Sequence, residues 1–80
     1  MTFTPERVAE LHLLSRFNLA NHQEGLKLHS GADPQLRAAA SRLHARGLLT
    51  QEDGGYLTSL GLDAAEHAQG LLTILTSPQD

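Results

Sequence analysis

Apolar side chains recur at helical spacing in three stretches of the chain, and two shorter stretches between them carry a different pattern. Val8, Leu11 and Leu14, with Leu13 and Phe17 alongside, repeat every three or four positions, as an amphipathic helix requires. Thr4-Pro5-Glu6 opens that run. A threonine hydroxyl accepts from an otherwise unpaired N–H, proline suits a position whose donor would be unused, and a glutamate complements the positive end of the dipole. The pattern predicts a helix over 4–17. A second begins in the same way at Asp33-Pro34, runs an apolar stripe through Leu36, Ala40 and Leu43 with Ala39 beside it, and stops at Gly47, since glycine accepts the left-handed conformation that ends a helix. Arg42 and Arg46 lie near its negative end, where cations are favoured. This helix is predicted over 34–46. A third starts at Thr58 or Ser59 and gathers Leu60, Ala64, Ala68, Leu71, Leu72 and Leu75 on one broad face, with Ile74 at its border. Gly70 in mid-helix costs about 1 kcal/mol relative to alanine, which the close approach of another backbone would explain. Pro78 and Gln79 read as a frayed tail.

The intervening stretches follow other rules. Residues 18–32 are punctuated by Gly25 and Gly31 and end in the alternating Leu26-Lys27-Leu28-His29, which reads as a loop or short helix and then a brief half-buried strand. Leu48–Gln51 and Tyr56–Thr58 flank Glu52-Asp53-Gly54-Gly55, a hairpin signal because glycine accepts the positive φ of tight turns. The expected fold is therefore mostly α with a small β-hairpin, an α+β chain. Its order is helix, short strand, helix, hairpin, C-terminal helix, in one domain over 1–80.

Composition narrows the function. The chain has 80 residues and three aromatic ones, Phe3, Phe17 and Tyr56, so its core is thin and aliphatic. It has no cysteine, which removes disulfides, thiol nucleophiles and Cys-based zinc sites and fits a reducing cytoplasm. No basic region followed by an apolar run opens the sequence, and no stretch approaches the roughly 20 apolar residues of a membrane span. Five histidines, His12, His22, His29, His44 and His67, are widely spaced and form no His-Glu-x-x-His pattern. They read as ordinary histidines, with no metal or cofactor expected. Ser15, Ser30, Ser41, Ser59 and Ser77 sit in no Gly-x-Ser-x-Gly elbow, so no catalytic residue is expected. Six Lys and Arg against nine Asp and Glu give a net charge of −3, the opposite of a nucleic-acid binder's usual balance.

Residues 42–67, RLHARGLLTQEDGGYLTSLGLDAAEH, resemble the second half of a winged helix-turn-helix domain of the PadR and MarR type. The resemblance rests on the Leu-x-x-x-Gly-Leu turn from Leu43 to Leu48, the hairpin after it, and Leu57-Thr58-Ser59-Leu60-Gly61 opening the last helix. The whole chain also resembles a small family of bacterial proteins of about this length and unassigned function, often labelled DNA-binding. Phe3-Thr4-Pro5-Glu6, Gln23-Glu24-Gly25, Gly54–Thr58 and Ala64–Ala68 carry that likeness. A winged helix has a further helix where residues 18–32 hold Gly25 and a strand-like segment.

The resemblance implies that helix 34–46 enters the major groove of double-stranded DNA. Arg37, Ser41 and Arg42 would meet it, Lys27 and Arg46 would add contacts, and the small outward residues Ala38 and Ala45 would permit close approach. The plainer reading makes these arginines solvated charges or complements to the dipole. Glu52 and Asp53 at the hairpin tip would repel phosphate. The alternative is therefore a protein-interaction module that docks through the acidic hairpin or the apolar C-terminal helix. Leu71, Leu72 and Leu75 exceed what so thin a core covers, and they predict a homodimer.

Overall fold

A computed structural model describes residues 3–21, 24–29 and 31–77. It is a mixed α+β chain of three helices and a small antiparallel sheet: α1 (Pro5–Leu14), β1 (Leu26–Lys27), α2 (Pro34–Ala45), β2 (Leu49–Gln51), β3 (Gly54–Leu57) and α3 (Ser59–Thr76). Among the described residues no helix lies between α1 and α2. Gln23, His22, Ser30 and the expected tail at Pro78 and Gln79 lie outside the described residues.

Each helix is bounded by the residues that its local chemistry selects. The Thr4 hydroxyl accepts from Arg7 N–H, the Asp33 carboxylate from Gln35 N–H and the Thr58 hydroxyl from Gly61 N–H. The end of α2 is a double closure. Gly47 N–H reaches the His44 carbonyl and Leu48 N–H the Leu43 carbonyl, with Gly47 at φ +83°, the conformation glycine supplies at such ends. Thr58 does further work, because its hydroxyl also donates to the Gly47 carbonyl at 2.6 Å. It thus joins the end of α2 to the start of α3. Thr58→Ala is expected to cost about 1–2 kcal/mol in urea denaturation, whereas a value near zero would mean that water replaces both bonds.

α1 is shorter than the expected 4–17 and buries a different stripe. The interior residues are Ala9, Leu13, Leu14 and Phe17, while Val8 is 52% exposed and Leu11 37% exposed. Both stripes have helical spacing, and α2 decides between them by packing its small residues Ala39 and Ala40 into the core with Leu36 and Leu43. Phe17 reaches the core from beyond the helix end.

The sheet has the order β1-β3-β2, so the expected two-stranded hairpin gains a third strand. The tight turn is Glu52-Asp53, and the glycine pair belongs to β3. Gln51 pairs with Gly54 and Leu49 with Leu57, which leaves one extra residue on β3, a bulge. Gly54 also pairs with Lys27 of β1. A Cβ there would stand 2.2 Å from the Leu26 carbonyl oxygen, at φ +126°. The sheet closes around the missing side chain. Leu28 and Leu49 turn from it into the core.

α3 lies against this body through its first half only. Gly61 and Ala65 are buried, Ala64 and Ala68 half-buried, and every residue from Gly70 to Ser77 is exposed. The Gln69 side chain donates to the carbonyls of Leu14 and Phe17, at 3.2 and 2.7 Å. That bond satisfies backbone acceptors at the end of α1, and beyond it α3 runs past the body.

Candidate functional site

Two surfaces carry the chemistry singled out in the sequence. One is the outer face of α2 with the hairpin tip beside it. Arg37, Ala38 and Ala45 are exposed there, and Ser41 is half-buried. Leu28, Arg37, Ser41, Gln51, Glu52 and Asp53 line a cleft of about 640 Å³ between α2 and the tip. The Ser41 hydroxyl lies 3.5 Å from the Glu52 carboxylate, a long contact that still sets a negative charge over the middle of this face. Lys27 is exposed on β1 and Arg46 is exposed at the end of α2. The cleft has mixed charge and an acidic wall.

Arg42 is differently placed. Its Nε donates to Glu10 at 2.6 Å and a terminal nitrogen donates to the Glu6 carbonyl at 3.2 Å. Glu10 also pairs with Arg7. Glu10 is only 5% exposed, and it sits in the interior stripe of α1 because two guanidiniums neutralise it. Burial by itself raises its pKa. The hydrogen bonds from Arg42 and Arg7, with their charges, outweigh that and hold the carboxyl below its ordinary value. Arg42 therefore clamps α2 to α1. Sequence reading did not single out Glu10; the available signal was a glutamate three residues after an arginine and on the same face as Leu14 and Phe17.

The second surface is the free end of α3. Leu71, Leu72, Ile74 and Leu75 are 52%, 48%, 70% and 71% exposed. At about 100° per residue they fall within an arc of about 160°, one broad apolar face of the kind that is normally buried against another element. Four such side chains in two turns make a contiguous patch of the kind that marks an interaction site. Among the described residues, no three His, Asp or Glu side chains gather as a metal site. Nor is any helix long and apolar enough to cross a membrane. The Ser15 hydroxyl donates to the carbonyl of His12, and His67 Nδ1 lies 2.7 Å from the carbonyl of Asp63. These groups therefore serve the helix backbone.

The model of a family of unknown function, DUF5669, matches residues 1–76. The chain belongs to that family. No curated protein and no solved structure matches it. The DUF5669 match spans both surfaces, from Phe3 to the last turn of α3.

Proposed function

We propose that this DUF5669 protein is a winged-helix-type module of a reducing cytoplasm that works by protein association, without catalysis, and that the free end of α3 is its docking surface. The sheet order β1-β3-β2 and a hairpin directly after α2 support the winged-helix reading. The observation that carries the association is the exposure of Leu71, Leu72, Ile74 and Leu75. Their exposed surface gives association a favourable term of roughly 25 cal/mol for each Å² covered. The homodimer expected from Leu71, Leu72 and Leu75 is one form of this association. Sedimentation velocity tests it. The weight-average coefficient is expected to rise with concentration, and the triple change Leu71→Ser, Leu72→Ser and Leu75→Ser is expected to abolish the rise. A chain that stays monomeric and binds duplex DNA tightly would retire the proposal.

A second reading keeps α2 as a contact for double-stranded DNA, supported by the exposed small residues Ala38 and Ala45 beside exposed Arg37. Two features weaken it: Arg42 is engaged with Glu10, and Glu52 stands beside Ser41. On this reading fluorescence anisotropy at low salt would detect a duplex complex that Arg37→Ala weakens. Glu52→Gln would strengthen it, since a carboxylate beside a phosphate path is repulsive, and added salt would dissociate it steeply. On the association reading, none of these duplex titrations saturates at micromolar protein.

A further inference from the structure

The stripe with which α3 packs on the body continues past the point where the body stops. Gly61 and Ala65 are buried, Ala68 is half-buried, and the same three- and four-residue spacing leads on to Leu72 and Leu75. These lie beyond the Gln69 amide that ties α3 to the end of α1. The lower half of the stripe rests on the body, and the upper half stands exposed among the described residues. Elsewhere the chain has an unfilled trough of matching character. Phe3, Leu11, Leu14, Leu43 and Leu48 line a groove of about 450 Å³, together with the ion-paired Glu10, and with Arg7 and Arg46 at its rim. That volume accommodates roughly two or three leucine side chains at protein packing density.

We propose that the two features complete each other between copies. The α3 end of one chain, Leu72 and Leu75 foremost, seats in the Phe3–Leu11–Leu48 groove of a second copy, which returns its own α3 end to the first. This rests on the reading of the α3 end as a docking surface and names its partner. Three considerations select a second copy. Residues 68–77 carry no charge, so the segment offers a foreign partner no charged side chain to recognise and meets no repulsion from its own kind. The last turn of α3 contains no basic residue, leaving the negative end of its dipole uncompensated, and exposed Arg46 at the groove rim supplies the opposite charge. Finally, a reciprocal exchange is closed by two-fold symmetry and buries each element twice.

The absence of cysteine from the sequence makes the test direct. A chain carrying Leu11→Cys and Leu75→Cys, mildly oxidised, is expected to run as a covalent dimer on a non-reducing gel. Peptide mass spectrometry should join position 11 of one chain to position 75 of the other. In sedimentation equilibrium, Leu75→Glu and Leu11→Glu are each expected to weaken the dimer at least about 30-fold, with the helical circular dichroism of both retained. If Leu75→Glu dissociates the dimer while Leu11→Glu leaves it intact, or if the only link is 75 to 75, the groove is not the seat. The proposal then falls although α3 still docks. If the wild-type chain is monomeric at the highest attainable concentration this proposal falls, and the association reading falls with it only if that monomer also binds duplex DNA tightly.

Discussion

Gly61→Ala is expected to destabilise the protein by about 3 kcal/mol, near the upper end of what overpacking costs, and to lower Tm by roughly 12–24 °C. The reason is one contact. α3 begins so close to the connection between α2 and β2 that a Cβ on Gly61 would stand 2.0 Å from the Leu48 carbonyl oxygen and 2.9 Å from its carbon. The obstacle is backbone and cannot swing aside. That same carbonyl accepts from Thr58 N–H at 3.0 Å, so pushing it away strains the bond that starts the helix. Gly70→Ala, in the same helix, is the control. Among the described residues nothing beyond the helix's own neighbouring backbone lies within 4 Å of a Cβ there, so only helix propensity acts, and stability should rise by about 1 kcal/mol. Thermal unfolding followed by circular dichroism, at one fixed protein concentration because association shifts Tm, reads both. A Gly61→Ala protein as stable as wild type would mean that α3 does not dock on Leu48. A Gly70→Ala protein that gains nothing would point to a partner packed against that position.

These two glycines also show what the sequence can reveal. Both interrupt an apolar helix and both look like weak points. Their difference is set by Leu48, thirteen positions before Gly61, and no local pattern records it. Features decided within four residues were legible: the caps at Thr4, Asp33 and Thr58, the helix stop at Gly47, and the hairpin. The hairpin's register was less so. Gly54 and Gly55 read as a turn, yet Gly54 belongs to the strand that β1 joins, because β1 approaches through the space where a side chain would stand. On α1 the larger side chains Val8 and Leu11 drew the inward face to themselves, while the true interior runs through the lighter Ala9. That choice hid the groove beside Leu11 and hid Glu10. The free end of α3, by contrast, was legible as an excess of leucine over the available core.

Glu10 gives the second large effect, and its sign follows from its partners. Its carboxyl titrates below the ordinary 4.5 in the folded protein, because the bonds and charges of Arg42 and Arg7 outweigh the cost of burial. A group with a depressed folded pKa adds stability that is fully present above its unfolded pKa and is lost as pH falls through the folded one. The loss therefore begins near pH 4.5 and continues below it. Other carboxylates titrate in the same window, so the informative quantity is the stability of wild type minus that of Glu10→Gln, measured by urea denaturation from pH 7 down to pH 3. At pH 7 the difference is expected to be about 1–3 kcal/mol. It belongs to the lower part of the range for a broken buried pair, because Arg42 and Arg7 keep 34% and 41% of their side chains in water and solvent screens them. As the solution is acidified the difference should shrink toward zero, because the protonated wild-type carboxyl then resembles the amide. A difference that stays constant across the range would show that Glu10 contributes by shape and not by charge. In that case Arg42 would not be held by the pair, and it would become available to the outer face of α2.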